Sequence, residues 1–292
     1  MAKGGALNLS AGAASVTVAL ILVALKLWAL GMTSSLSVAA SLADSALDLM
    51  MSLGGLAAII YAARPADEDH AFGHTSAEDL AALGQSVVIL VSAAVIGWTA
   101  VERLTSGAPT TLASQGAGMT VMAVSIVLTF ALVLWQRRVA KATGNRVVAA
   151  DSLHYLSDLI PNVGAIAALW MSGRFGIGAI DSIVAIGAAA ILLAGSLRIG
   201  KGAWDALMDR RADPDVIKGI ARIAGDFPGV HGFHDLKTRM AGSVVFVNIH
   251  IELDGDQSLR EAHAIGAALR RKIIATYPQA DVIVHKDIAG ER

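Results

Sequence analysis

The chain has 292 residues, of which 55% are hydrophobic and 16% are charged, and its formal net charge is −1. Soluble domains are usually about 45–50% apolar and about 25% charged, so this composition indicates a membrane protein. The near-neutral balance excludes a strongly basic surface for nucleic acid, and the absence of cysteine excludes disulfides and thiolate metal sites.

Six stretches are long and apolar enough to cross a bilayer, which takes about 20 residues. They cover 9–31, 35–62, 79–101, 114–136, 147–172 and 177–199. Lys and Arg are concentrated on one side, for example in QRRVAKATGNR after the fourth stretch. The positive-inside rule therefore predicts a multi-pass membrane protein with both termini in the cytoplasm.

Two carboxylates interrupt the second apolar stretch, in SLADSALDLM. Asp44 and Asp48 are four residues apart, which places them on one face of a helix near the middle of the bilayer. A charge at that depth costs roughly 2.5–3.5 kcal/mol on insertion scales, so the pair needs a cation or another partner.

The fifth stretch carries a matching pair, His154 and Asp158, in ADSLHYLSD. If the second and fifth helices pack together, three carboxylates and one imidazole converge, which suits tetrahedral Zn²⁺. Asp151 precedes the pair by one turn, at the cytoplasmic mouth. Two other interpretations are polar side chains bonded between helices and a proton relay without metal.

The loop after the second stretch reads DEDHAFGH and contains Asp67, His70 and His74. If this loop begins the next helix, the two histidines, four residues apart, share one of its faces, so the loop is a candidate metal site. Clusters of Asp and His also occur by chance in charged loops, and the motif alone leaves both interpretations open.

The composition changes after about Trp204, which divides the chain into 1–204 and a soluble tail, 205–292. Asp213 is placed as a helix cap, and Ser258 with Glu261 forms an S-x-x-E capping box. Two alternating stretches, around GFHDLKTRM and SVVFVNIHIEL, predict strands, and ADVIVHKDI predicts a third. The order helix, strand, strand, helix, strand predicts a small α+β domain of ferredoxin-like type.

Five of the eight histidines lie in this tail, which favours metal binding by the domain. Asp287 follows His285 by two residues, and Glu252 follows His250 by two, so each pair points to one strand face. A single solvent-exposed histidine, such as His231, is usually not a ligand.

These motifs resemble those of the cation diffusion facilitators, particularly the bacterial zinc and ferrous-iron efflux branch, over nearly the whole chain. LADSALDLM and ADSLHYLSD resemble that family's paired transport-site motifs, DEDHAFGHTSAE resembles its loop motif, and the tail resembles its metallochaperone-like cytoplasmic domain. The resemblance implies a homodimer of the cell inner membrane that exchanges a divalent cation for protons.

The resemblance also assigns metal ligands at three places. It implies a transport site of Asp44, Asp48, His154 and Asp158, a loop site of Asp67, His70 and His74, and a cytoplasmic binuclear site of His234, His250, His263, His285 and Asp287. Members of that branch often have a lysine where this chain has Ser76. That lysine pairs with an acid after the sixth span, and Asp209 is the corresponding acid here.

The sequence therefore predicts a six-span helical membrane protein with a cytoplasmic α+β domain that regulates and dimerises. Its expected function is zinc efflux by alternating access in exchange for protons, with Fe²⁺, Cd²⁺ or Mn²⁺ as alternative ions. An imidazole among three carboxylates favours zinc or cadmium over manganese. The competing hypotheses are a metal sensor that does not transport and an intramembrane metallohydrolase, for which no H-E-x-x-H motif is present.

Overall fold

A computed structural model describes residues 2–33, 36–106, 116–159 and 180–290. They form two compact units, Ala2–Trp204 and the residues from Asp205 onward. Each unit has its own buried clusters of apolar side chains.

The first six helices cover the apolar half of the sequence. They are α1 (Ala2–Thr33), α2 (Leu36–Ala62), α3 (Ser76–Ser106), α4 (Gly116–Thr143), α5 (146–159) and α6 (Ile180–Leu207). A backbone in lipid must satisfy its hydrogen bonds internally, and long apolar segments therefore fold as helices.

Five of these helices are long and apolar enough to cross a membrane, namely α1, α2, α3, α4 and α6. The chain therefore has a helical transmembrane domain, as the composition predicts. The fifth predicted span, 147–172, continues past the described part of α5, so its second half lies outside the described residues. The predicted beginnings of three other spans, at 35, 114 and 177, also lie outside them.

Small residues let the helices approach one another closely around α5. A Cβ atom added at Gly195 of α6 would lie 2.7 Å from Cδ2 of Leu153, and one added at Gly55 of α2 would lie 3.3 Å from Cγ1 of Val147. Glycine at helix contacts is typical of membrane bundles. The part of α5 that carries His154 is therefore packed tightly between its neighbours.

The second unit contains two helices and three strands. They are α7 (Pro214–Gly225), β1 (Gly232–Ala241), β2 (Val244–Leu253), α8 (Leu259–Thr276) and β3 (Ala280–Ile288). This is the predicted order, and the side chains of Asp213 and Ser258 cap α7 and α8 as expected. Strand β2 lies in the middle of the sheet, antiparallel to β1 and parallel to β3.

The two faces of this sheet differ in character because side chains alternate along each strand. One face of β2 presents Val245, Val247, Ile249 and Ile251, which pack with the buried side chains of α7 and α8. The other face presents His250 and Glu252. The helices therefore cover one face of the sheet, and these polar side chains lie on the opposite face.

Asp209 lies in this second unit; it is the acid that, by the resemblance, pairs with a lysine in proteins that lack Ser76. Its Oδ1 accepts a hydrogen bond from Nη1 of Arg239 at 3.2 Å, and Arg210 pairs with Asp205. In this structure Asp209 is therefore paired within its own unit.

Candidate metal sites

The first candidate site lies between α2 and α5, within the apolar helices. Asp48, His154 and Asp158 each offer one ligand atom, and these atoms lie within 4.8 Å of one another. Nε2 of His154 is 3.1 Å from Oδ1 of Asp48, and His154 is only 8% exposed. One nitrogen and two oxygen donors at this spacing fit a small divalent cation such as Zn²⁺.

Asp44, the fourth predicted ligand, is not part of this cluster. It is one turn before Asp48 on α2, and its side chain is exposed. Residues four apart on a helix have Cβ atoms about 5–6 Å apart. Asp44 would therefore reach the ion only if its side chain turned along the helix axis toward Asp48.

The hydroxyl groups of Ser157 and Ser45 form hydrogen bonds next to this site. The hydroxyl of Ser157 donates to the carbonyl of His154, and its Oγ lies 3.3 Å from Oδ1 of Asp158. Nζ of Lys26, inside α1, donates to Oγ of Ser45 at 2.6 Å. Because Ser45 follows Asp44 directly on α2, the lysine brings a positive charge to the helix that carries the carboxylate pair.

The second candidate site is the loop between α2 and α3. Asp67 bridges two histidines: its Oδ1 is 3.2 Å from Nδ1 of His70, and its Oδ2 is 3.2 Å from Nε2 of His74. The backbone N–H of His70 also donates to Asp67, and this bond is the main reason that the pKa of Asp67 lies below its ordinary value. The carboxylate is therefore ionised near neutral pH, as metal binding requires.

The third candidate site lies on the polar face of the sheet in the second unit. Strand pairing places His234 of β1 opposite His250 of β2, and His250 opposite His285 of β3. Oδ2 of Asp287 is 2.8 Å from Nδ1 of His250 and 3.3 Å from Nε2 of His234. The hydrogen bond from His250 is the main reason that the pKa of Asp287 lies below its ordinary value.

His285 extends this third site, whereas His263 does not. Nε2 of His285 is 3.1 Å from Oδ1 of Asp287, whereas His234 and His250 contact the other oxygen, Oδ2. His263 is exposed on α8, and α8 packs against the apolar face of the sheet. The structure therefore brings together four of the five predicted ligands.

Two features of the third site were not among the predicted ligands. Oε1 of Glu252 is 3.9 Å from Nε2 of His234, and its two-residue spacing from His250 is the signal in the sequence. The backbone of β1 bulges between His234 and Lys237, where Asp235 has a φ of 47°. The sequence contains no comparable signal for that bulge.

Models of two protein families match the chain. The cation efflux transmembrane domain matches residues 13–208, and the cytoplasmic domain of cation efflux proteins matches residues 212–288. The chain belongs to the cation efflux family. It is a multi-pass divalent cation efflux transporter and not an enzyme, which confirms the predicted family and excludes the metallohydrolase.

Several relatives share most of the length of the transporter. The cation-efflux pump FieF of Shewanella oneidensis is 43% identical over 277 residues, which cover 95% of this chain and 93% of the relative. FieF of Pectobacterium carotovorum is 39% identical over 277 residues, with 95% and 91% covered. FieF of Klebsiella pneumoniae is 37% identical over 283 residues, with 97% and 93% covered.

Solved structures resemble a smaller part of the transporter. The metal-bound C-terminal domain of the CzcD transporter from Thermotoga maritima is 28% identical, covers 26% of this chain and 91% of its own, and has a TM-score of 0.26. The MamM C-terminal domain is 23% identical, covers 25% of this chain and 95% of its own, and has a TM-score of 0.25.

Proposed function

We propose that the transporter exports Zn²⁺ from the cytoplasm in exchange for protons, by alternating access around Asp48, His154 and Asp158. The observation that supports this is one imidazole and two carboxylates within 4.8 Å of one another inside an apolar helical bundle. Asp44 is the fourth ligand in this proposal, since it lies on the same helix one turn away.

Zinc is the favoured ion because of the donor set. Zn²⁺ takes four nitrogen and oxygen ligands in tetrahedral geometry, and imidazole suits zinc better than it suits manganese. Fe²⁺ and Cd²⁺ are the alternatives with a similar preference for mixed nitrogen and oxygen ligands, and Mn²⁺ is the harder ion.

Proton exchange follows from the chemistry of the same ligands. A metal binds carboxylates in their ionised form and imidazole in its neutral form, so protons compete with the metal for each group. Histidine is the side chain that titrates near neutral pH, and His154 is therefore the natural exchanger. A proton gradient directed into the cell would drive the export of metal.

The remaining parts of the chain have supporting roles in this proposal. Residues 1–204 form the transport domain in the inner membrane, with both termini cytoplasmic, and residues 205–292 form a cytoplasmic domain that binds metal, regulates and dimerises. The histidines of the loop form a second site. The transporter acts as a homodimer, as the family of its cytoplasmic domain indicates.

The test is metal flux in inverted membrane vesicles, with a panel of Zn²⁺, Fe²⁺, Cd²⁺ and Mn²⁺. Zinc uptake should require an acidic lumen and should acidify the bath. Asp48→Asn should abolish uptake while leaving a folded protein, and Asp215→Asn, at an exposed carboxylate on α7, is the matched control.

Three results would contradict the proposal. Flux in Asp48→Asn equal to that of the parent would show that the ion passes elsewhere. Uptake that is indifferent to the pH of the lumen would remove the proton exchange, and the absence of any flux would favour the sensor.

A further inference from the structure

A buried ion pair joins the first turn of α3 to the first turn of α5, outside the three candidate metal sites. Asp79 of α3 is 1% exposed, and its Oδ1 accepts a hydrogen bond from Nη1 of Arg146 on α5. The side chain of Arg146 is 26% exposed. A charge pair buried to this extent is costly to break, because a charge that loses its partner while it stays out of water is poorly stabilised.

Local structure alone does not favour an arginine at this position. Arg146 is the first residue of α5, where the partial positive charge of a helix N-terminus disfavours a cation. The connection before it is tight, since Gly144 has a φ of 70° and Oδ1 of Asn145 accepts from the backbone N–H of Val148 at 3.0 Å. The short turn fixes where Arg146 begins, and the tertiary contact with Asp79 supplies the charge that the helix end lacks.

A cluster of buried apolar side chains lies next to this pair, on the cytoplasmic side of the transport site in the proposed topology. Val147 follows Arg146 directly, and Ala82 lies one turn after Asp79. All of the helices α1–α6 contribute to the cluster, which consists of Ala11, Ile59, Ala82, Val139, Val147, Val148 and Ala203. Along α5, Val147 precedes His154 by two turns, or about 11 Å. The cluster therefore lies between the cytoplasmic loops and the transport site.

The described part of this cluster is closed to a hydrated ion. The cavity that borders Ile59 and Val147 is about 10 Å³, and a space of that size holds about one water molecule. Helix α6 also packs against the pair, because a Cβ atom added at Gly202 would lie 3.4 Å from Nε of Arg146. Passage of a cation through this cluster therefore requires the helix ends to move apart.

We propose that the ion pair of Arg146 with Asp79 is a latch of the transport cycle. The latch holds the first turn of α5 against α3 while the cytoplasmic side is closed, and it breaks when that side opens to admit the ion. Opening brings water to both charged groups, which lowers the cost of separating them. Both are positioning residues, since they act through the placement of α5, the helix that carries His154 and Asp158.

This inference rests on the proposed alternating access, and zinc flux in inverted vesicles is its first test. Arg146→Gln should favour the state that is open to the cytoplasm. The zinc concentration for half-maximal flux should fall by about threefold or more, because a larger fraction of the protein is competent to bind. Arg146→Lys keeps the charge and should give an intermediate value. Arg138→Gln, at an exposed arginine on α4, is the matched control and should behave as the parent.

A thiol-labelling experiment measures the opening without transport. The sequence contains no cysteine, so an introduced thiol reports from a single position. Ala82→Cys places that thiol inside the cluster, where Ala82 is 0% exposed. In metal-free inverted vesicles, an impermeant maleimide should label Ala82→Cys slowly, and at least about tenfold faster when Arg146→Gln is added. Addition of Arg138→Gln should leave the rate unchanged.

A cross-link tests whether the two helix ends must separate, and it does not depend on the folding of Arg146→Gln. Asp79→Cys and Arg146→Cys are combined and joined by a short bifunctional methanethiosulfonate. The joined protein should stop transporting zinc, and reduction should restore the flux of the untreated double variant. Each single cysteine variant, treated with the same reagent, is the control.

Three results would each overturn the inference and leave the proposed function intact. They are zinc flux in the joined protein equal to that before joining, equal labelling of Ala82→Cys with and without Arg146→Gln, and an unchanged half-maximal zinc concentration in Arg146→Gln. A parent protein that moves no zinc would contradict the proposed function instead, and the labelling rates would still decide whether the pair holds the helix ends together.

Discussion

Asp235 shows how one residue can position a candidate metal ligand, His234. Its φ of 47° lies in the left-handed region, which most side chains avoid and which Asp, Asn and Gly tolerate best. The register of β1 against β2 shifts between His234 and Lys237, around this residue. The bulge thus leaves His234 opposite His250 while the rest of the strand pairs in a different register.

This conformation predicts opposite effects for two substitutions. Asp235→Val should lower the stability of the second unit by about 1–2 kcal/mol, the usual cost of the left-handed region for a residue with a Cβ atom, and should weaken zinc binding. Asp235→Gly should leave both the stability of the unit and its zinc binding unchanged. Thermal unfolding and calorimetry of the domain are the measurements, with Asp281→Val on the exposed part of β3 as the control. Equal effects of valine and glycine would contradict the role of the bulge.

Helix α8 begins at a capping box in which both reciprocal hydrogen bonds, between Ser258 and Glu261, are present. Oγ of Ser258 accepts from the backbone N–H of Glu261, and the carboxylate of Glu261 accepts from the backbone N–H of Ser258 at 2.8 Å. The hydrogen bonds from Ser258, first that of its side chain, lower the pKa of Glu261 from its ordinary value of 4.5. The ionised form therefore stabilises the start of the helix.

This lowered pKa predicts a pH-dependent difference between the parent and Glu261→Gln. A carboxyl group whose pKa is lower in the folded state stabilises the fold above its unfolded pKa, near 4.5, and loses that effect as the pH falls through the folded pKa. The parent domain should melt at a higher temperature than the variant at pH 7, and the two should converge below pH 4.5. A constant difference across the pH range would argue against the carboxylate as the cause.

Helices α7 and α8 meet at a contact that requires glycine. A Cβ atom added at Gly219 of α7 would overlap the hydroxyl of Tyr277, which follows α8 directly. Side chains in a well-packed contact cannot shift without cost, and overpacking usually costs about 1–3 kcal/mol.

A double-mutant cycle tests this contact. Gly219→Ala alone should lower the free energy of unfolding of the domain by about 1–3 kcal/mol. In a background of Tyr277→Phe, where the hydroxyl is missing, the same substitution should cost clearly less. Chemical denaturation of the four proteins measures both costs, and additive effects of the two substitutions would show that the hydroxyl is not the obstacle.

At the scale of the whole molecule, the second unit has its own core. Ile249 and Ile251 of β2 and Leu269 and Ile273 of α8 are completely buried, in a cluster that contains no residue before Ala212. An independent core is what a domain needs in order to fold by itself. The face of the sheet that carries the candidate ligands belongs to the same unit, so the core and this face can both be studied without the membrane helices.

Residues 205–292 expressed alone should therefore fold, bind zinc and dimerise more tightly with it, because an ion that binds the ordered state stabilises that state.

Replacement of His250 and His285 by alanine should weaken zinc binding at least about tenfold. In the full transporter, the same double substitution should raise the zinc concentration for half-maximal flux without stopping flux. His231→Ala, at an exposed histidine outside the cluster, is the control. Calorimetry in which parent and double variant bind zinc equally would contradict the regulatory site.

The sequence by itself determined the elements, because their signals are local. Apolar length predicts the membrane helices, alternation predicts β2 and β3, and the caps at Asp213 and Ser258 depend on atoms within one helical turn. The i, i+4 spacing of His154 and Asp158 likewise follows from the geometry of a single helix. Each of these inferences needs only neighbours in the chain.

Only the tertiary structure decided which side chains meet across elements. Asp48 and His154 are 106 residues apart in the chain and 3.1 Å apart in space, and Asp44, with the same spacing pattern, stays outside their cluster. The ion pair of Arg146 with Asp79 and the position of Glu252 beside His234 were likewise not assigned from the sequence. Such contacts depend on how helices rotate against each other and how strands align, and no pattern within one element fixes either of these.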